Sequence, residues 1–297
     1  VRLRVQTTSR DGVALINALR VEPELGTPAR GGLPETVAER QAGGGWLLRG
    51  RKIYSTGIPG LRWLAVFART DDGEPHVGTF LVEAGTPGYR VEQTWDHLGM
   101  RATRSDDVIF EGCAIPADHA VDIAPVGMAG PPDPRLMVWN NLAITALYQG
   151  VARAARDWLV GYLHERVPSG LGAPLASLPR FQEAVGRIEA RLHASGRLLQ
   201  GAAADAERAT DPALAAAAAA LTKHTVTSNA IDSVSEAIAL VGNPGLSRRH
   251  PLERHLRNVL CSRIHTPQDD TILGAAGRSA LAAAAPSPAP PPSHAGG

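Results

Sequence analysis

Three adjacent residues with chemistry of their own end the stretch GRKIYSTG, residues 50–57, where a buried strand would carry Val or Ile: Tyr54, Ser55 and Thr56. An aromatic beside two hydroxyls suits a planar heteroaromatic ligand. Its ring face needs an aromatic or apolar platform, and its edge atoms need hydroxyl or amide partners. A second polar group, Glu22-Pro23-Glu24-Leu25-Gly26-Thr27, precedes it. The alternative is a Ser/Thr β-bulge with solvated hydroxyls. No GxSxG elbow, P-loop or GxGxxG occurs, and Ser9, Ser55 and Ser105 lie in no nucleophile context, so acyl-serine and phosphate-loop chemistry are not indicated.

Metal binding is the next chemistry to weigh. Cys261 and His265 are four apart, the spacing that puts two ligands on one helical face, and His250 and His255 lie close by. Against a metal, His250 and His255 are five apart and point to different faces, HExxH and CxxC are absent, and Pro251 and Pro267 bracket the stretch. It reads as a basic helix end with no metal. The remaining cysteine, Cys113, is too far off in sequence to imply a disulfide framework.

The elements that position these residues fall into two textures. From Gly45 to Pro116 short apolar runs recur (46–48, 52–54, 63–67, 79–82, 108–110) with turns such as Asp71-Asp72-Gly73 and Pro87-Gly88 between them, as in antiparallel strands joined by hairpins. Past Pro134, four helices are expected over Asn141–Arg166, Leu178–Arg208, Pro212–Val241 and Pro251–Leu281. Strands followed by helices indicate an α+β multidomain chain, an antiparallel β domain over 1–125 and a four-helix bundle over 135–281. The last stretch, 282–297, is rich in Pro and Ala and reads as a disordered tail.

In the 297-residue chain, 30 Lys and Arg balance 29 Asp and Glu, so the basic excess that nucleic-acid binding needs is missing. The longest apolar run, Ala213 to Leu221, is too short to span a membrane. Val1 to Arg10 is polar and carries no signal-peptide core, so a cytoplasmic location is expected, with neither nucleic acid nor membrane as partner.

Taken in order, EPELGT, GRKIYSTG, HLGMRATRSDDVIFEGCAIP, YLHERVPSGLG and GNPGLSRRHPLERHLRNVLCSRIHTPQDD resemble the acyl-CoA dehydrogenase superfamily, from its middle β domain to its C-terminal helical domain. PELGTPARGGLP and IHTPQDD are similar to the branch that includes flavin monooxygenases related to dibenzothiophene monooxygenase. The resemblance implies FAD as cofactor, with FMN as the alternative. It implies that Tyr54 packs on the isoalloxazine, with Ser55 along it and the Thr56 hydroxyl near N5, able to donate to the anionic reduced flavin. Val21 to Thr27 would serve the pyrimidine side and the pyrophosphate. Arg166, in the family's "ER" position, and Gln182 would reach the FAD of a neighbouring subunit, which implies a homodimer or homotetramer. The turn at Gly242 would cradle the adenine side, although the Gln and second Gly common there are replaced in Ala239–Asn243.

Two further departures bear on activity. The family's base is commonly the Glu of an IYEGT motif; the matching stretch here is Ile264-His265-Thr266-Pro267-Gln268, so a threonine stands where the carboxylate would be. Asp157 is the one acid in 141–162, and surface charge is its expected role. His265 then becomes the candidate catalytic residue. In monooxygenases of this fold a histidine in this loop stands near the flavin, where it would stabilise or protonate a C4a-(hydro)peroxide; the alternative is a loop histidine bonded to Asp269 or Asp270. The other departure is that Val1 to Leu19 does not match the family's N-terminal helical domain, so the sequence is expected to be either a fragment or a reduced member whose pocket is open to water. The expected function is a flavin oxidoreductase acting on an acyl-CoA thioester by α,β-dehydrogenation or on a related small substrate, served by a flavin reductase or an electron-transfer flavoprotein. The alternatives are a flavin-dependent monooxygenase and a non-catalytic paralogue acting in oligomer assembly.

Overall fold

A computed structural model of the chain describes residues 1–25, 32–126, 128 and 133–283. The described residues fall into two compact units, divided after residue 131.

The first unit opens with helix α1 (Arg2–Arg10) and continues with β1 (Leu15–Leu19), β2 (Val37–Arg40), β3 (Trp46–Lys52), β4 (Leu61–Thr70), β5 (His76–Glu83), β6 (Tyr89–Glu92), β7 (Asp107–Ile115) and β8 (Ala120–Pro125). Along β4 the residues Leu61, Trp63, Leu64, Val66 and Ala68 are buried, the mostly alternating pattern that makes a strand with one wet face. The strands form one sheet in the order β6-β7-β3-β2-β4-β5-β8, with β1 added to β4. Most pairings are antiparallel, as expected, but β1 and β2 both run parallel to β4 and make the sheet mixed. Residues 1–19 belong to this unit: β1 pairs with β4, and Trp63 Nε1 on β4 donates to Thr8 Oγ1 of α1 at 2.9 Å. The core gathers Trp46, Leu48, Leu64, Val66, Phe80, Val82, Phe110 and Cys113. Each large apolar side chain buried there contributes about 1.5–3 kcal/mol. The run expected over 46–48 extends through Lys52 as β3, which pairs antiparallel with β7 through a register shift after Leu48 and brings Lys52 opposite Val108.

The second unit contains α2 (Pro134–Glu165), α3 (Pro179–Arg208), α4 (Pro212–Val241), the single turn α5 (Asn243–Leu246), α6 (Leu252–Leu260) and α7 (Asp269–Ala283). The three long helices each start on a proline, whose missing N–H is spent where no intrahelical partner exists. Asp133 and Asp211 cap α2 and α4 through their side-chain oxygens. The buried positions Tyr148, Ala152, Ala155, Leu159 and Leu163 of α2 and Phe181, Ala184, Ile188 and Leu192 of α3 recur every three or four residues, one stripe per helix, and close on α4 around Ala230 and Val234. The helix expected over 251–281 is corrected to two, α6 and α7. Pro267 cannot donate to a helical ladder and pushes the residue before it out of helical geometry, so the intervening residues form a loop. The tail expected from 282 overlaps α7 for two residues, and the rest of it, like Thr27, lies outside the described residues. Among those residues no helix is long and apolar enough to cross a membrane.

Candidate functional site

The two polar groups singled out in the β unit are joined by a buried ion pair. Lys52, at the end of β3, is 0% exposed and its Nζ lies 2.5 Å from Glu22 Oε1, whose side chain is 1% exposed. Glu22 also accepts from Thr36 Oγ1 at 2.6 Å, Thr36 N at 3.1 Å and Glu35 N at 2.6 Å. Burial by itself raises the Glu22 pKa, but the bonds from Lys52 and Thr36 and the charge of Lys52 outweigh it and hold the carboxyl below its ordinary value. Burial likewise pulls Lys52 below its ordinary value, against the opposing pull of Glu22. Gly50 makes the cradle possible: at φ 140°, a Cβ there would stand 2.7 Å from Thr36 Cα and Oγ1. The pair ties residues 21–25 to the end of β3, and Val21 O accepts from Ile53 N at 3.0 Å one residue further on.

Past this pin the chain leaves the sheet. Tyr54 takes a left-handed φ of 56°, uncommon for a bulky residue, and is 54% exposed. It meets Trp95 and His97 edge-on, with centroids at 6.2 and 6.1 Å, while Trp95 and His97 stack at 3.9 Å. The loop carrying them is held by buried Asp106, which accepts from Trp95 N at 3.0 Å and Arg104 Nε at 2.9 Å. Ser55 is buried and its Oγ has no hydrogen-bond partner among the described residues. The exposed Thr56 hydroxyl lies 2.8 Å from Ser105 Oγ, which lies 2.8 Å from Thr103 Oγ1, which donates to Met100 O at 2.8 Å. Each hydroxyl has one proton, so satisfying all three contacts runs the donors from Thr56 to Met100 O. Thr56 is thereby left as an acceptor, which corrects the donor role expected for it.

A second cluster lies in the helical unit. Tyr148 Oη on α2 is 2.7 Å from His265 Nδ1, in the loop before α7, and Lys223 Nζ on α4 donates to His265 O at 3.0 Å and Pro267 O at 2.8 Å. Burial, then the charge of Lys223, lowers the His265 pKa. The alternative partners expected for His265 are corrected: Asp269 lies 3.2 Å from His224 Nδ1 instead, and Asp270 accepts from Thr271 N. Cys261 and His265 do not share a helical face, because α6 ends at Leu260. Among the described residues no cluster of three metal-ligating side chains occurs.

The other sequence candidates are dispersed over the helical unit. Arg166 caps α2 with its backbone and is exposed; exposed Gln182 on α3 donates to Ala176 O at 3.0 Å beside Phe181 and His164. Gly242 ends α4 with φ 66° and ψ −136°. Asp157 is a surface charge paired with Arg156 at 2.8 Å. Sequence reading missed Lys52, Trp95, His97, Thr103, Tyr148 and Lys223. A lysine inside an apolar strand run, and another on a mainly apolar helix, are signals that could have found two of them.

The acyl-CoA dehydrogenase middle-domain profile matches residues 20–113, and the acyl-CoA dehydrogenase C-terminal-domain profile matches residues 142–269. The chain belongs to the acyl-CoA dehydrogenase family. YdbM of Bacillus subtilis, provisionally named an acyl-CoA dehydrogenase, is 33% identical over 261 residues, covering 88% of this chain and 66% of that protein. L-Evernosamine nitrososynthase of a Micromonospora species is 30% identical over 235 residues, covering 75% of this chain and 54% of that protein. Among solved structures, KijD3 in complex with FMN and dTDP-3-amino-2,3,6-trideoxy-4-keto-3-methyl-D-glucose superposes with a TM-score of 0.78 at 27% identity, covering 94% of this chain and 68% of that one. The chain spans only 54% to 66% of the length of these two curated relatives.

The β-unit edge carries groups of the kind that the rim of a flavin needs. Tyr54 and Thr56 are exposed, the buried Ser55 hydroxyl has no partner among the described residues, and the Thr56 oxygen is left as an acceptor.

Proposed function

We propose that the protein is a flavin-dependent oxidoreductase in which the Tyr54–Thr56 edge holds the isoalloxazine and His265 handles a proton on a small polar substrate. The flavin supplies the two-electron redox chemistry and, when reduced, reaction with dioxygen. Tyr54 provides a platform for the ring, and Thr56, with its proton committed to Ser105, accepts from a ring N–H. Arg166 offers phosphate a fork of donors and Gln182 an amide, which supports their assignment to the cofactor of a neighbouring subunit in a homo-oligomer. Val21, with its carbonyl engaged by Ile53, and Gly242, at its turn, contribute backbone rather than side chains.

The observation that carries the oxygen-using reading is the His265 site: it holds a phenol, an imidazole and an ammonium group, and residue 266, where the family base would stand, is a threonine. KijD3, solved with FMN and an amino keto sugar nucleotide, and the nitrososynthase relative support a polar, nitrogen-bearing substrate handled on this fold. A second reading, α,β-dehydrogenation of an acyl-CoA, is favoured by the 33% identity to YdbM. The two separate in one experiment on flavin-loaded protein. Anaerobic addition of butyryl-CoA leaves the flavin absorption intact in the oxygen-using reading, and substrate-dependent turnover requires a flavin reductase and O₂. Bleaching by the thioester without oxygen selects the dehydrogenase.

A further inference from the structure

His265 is held by two residues that no sequence motif marks. Tyr148 is fully buried, and the 2.7 Å contact with His265 Nδ1 is the one side-chain hydrogen bond its hydroxyl makes among the described residues. Burial, with a smaller contribution from Cys261, pushes the Tyr148 phenol well above its ordinary value, so it keeps its proton, and a buried O–H requires an acceptor. His265, lowered by burial and by Lys223, is neutral at pH 7 and has one N–H to place. Were that proton on Nδ1, the phenol oxygen would accept it and the phenol proton would be left buried without a partner. With the proton on Nε2, the phenol donates to Nδ1 and those two atoms satisfy each other. Lys223 meanwhile bonds the carbonyls on either side of Thr266, fixing the backbone that carries the ring. The groups around this cluster are Tyr148 from α2, Lys223 and His224 from α4, Cys261 from the turn after α6, and Asp269 from α7, whose charge acts on Lys223.

We propose that Tyr148 and Lys223 are positioning residues for His265: Tyr148 donates to Nδ1 and so holds the imidazole as its Nε2–H tautomer, and Lys223 fixes the loop, so that His265 meets its ligand as a hydrogen-bond donor. This rests on the reading of His265 as the proton-handling group. It also narrows that reading: a ring with Nε2 protonated and Nδ1 occupied cannot begin a reaction by abstracting a proton. It can donate to an oxygen atom that gains negative charge.

The test is nitrogen NMR of the full chain labelled with ¹⁵N-histidine, without added flavin, the His265 signals being assigned by their loss in His265→Gln. A pyridine-type Nδ1 and a pyrrole-type Nε2 at neutral pH are expected; a pyrrole-type Nδ1 overturns the proposal. In Tyr148→Phe, which keeps the ring and removes the donor, the Nδ1–H fraction should rise several-fold while the other histidine signals stay in place. An unchanged tautomer ratio overturns the role of Tyr148. In Lys223→Met the His265 titration midpoint should move up, and Lys223→Arg should restore it toward the wild-type value; a midpoint unmoved by the methionine overturns the role of Lys223. Should either variant fail to fold, the wild-type spectrum still decides the tautomer. A protein that never binds flavin would defeat the functional reading with the tautomer result standing, whereas an Nδ1–H tautomer in a flavin-binding protein would defeat this proposal alone.

Discussion

Glu22→Gln separates the buried charge of Lys52 from its counter-ion while keeping the size of the side chain. Lys52 has no access to solvent, and Arg20 adds a like charge nearby. Removing one member of a buried pair costs about 3–5 kcal/mol, because the other is left uncompensated. With a urea m-value of about 2 kcal/mol/M, the unfolding midpoint of the β unit should fall by roughly 1.5–2.5 M. The loss should also depend on pH. Without Glu22, burial holds the Lys52 pKa still further below that of the unfolded chain, so the unfolded state binds more protons and stability rises with pH. Between pH 7 and pH 9 the variant should recover up to about 2.7 kcal/mol relative to wild type, at 1.36 kcal/mol per pH unit. The assay is urea unfolding followed by tryptophan fluorescence, since Trp46 and Trp63 are buried in this unit. A loss below about 1 kcal/mol, or equal pH slopes for variant and wild type, would refute the reasoning.

Other consequences follow from the same geometry. Wild-type Glu22 has a folded pKa below the unfolded 4.5, so its contribution is complete above that value and is lost as pH falls through the folded one; acid titration monitored by circular dichroism should show the β unit weakening only below about pH 4.5. Gly50→Ala should cost about 1–3 kcal/mol from strain alone, and because Thr36 bonds Glu22, its effect should not add to that of Glu22→Gln in a double-mutant cycle read by urea unfolding. Leu159→Ala, in the centre of the α2 stripe, should cost the helical unit about 2–5 kcal/mol by thermal denaturation. Asp106→Ala should cost about 1–3 kcal/mol and alter near-UV circular dichroism as the Trp95–His97 stack loosens.

The sequence made the large elements legible because their signals are local. Helices α2, α3 and α4 end within a residue of the expected limits, apart from the start of α2, since apolar spacing and flanking prolines act over a few residues. The parallel pairing of β1 and β2 with β4 was not legible, because it joins segments far apart in the chain and no turn dictates it. The same holds within the candidate sites. Tyr54, Ser55, Thr56 and His265 are noticed for their types, but what sets their geometry is distant: Glu22 is 30 residues from Lys52, Tyr148 is 117 from His265, and Ser105 is 49 from Thr56. Buried charge is the clue that carries furthest, since Lys52 and Lys223 tolerate full burial only with partners that must come from elsewhere.

The claim on which the functional account stands is that the Tyr54 edge holds a flavin ring, and equilibrium titration of the purified full chain with FAD and with FMN tests it most directly. One of the two should bind at one per chain with quenched flavin fluorescence, and Tyr54→Ala, at an exposed position whose loss leaves the core intact, should weaken that binding about tenfold, for the loss of about 1.4 kcal/mol of ring contact. Failure of both flavins to bind the wild-type protein, or equal affinity in Tyr54→Ala, would contradict it.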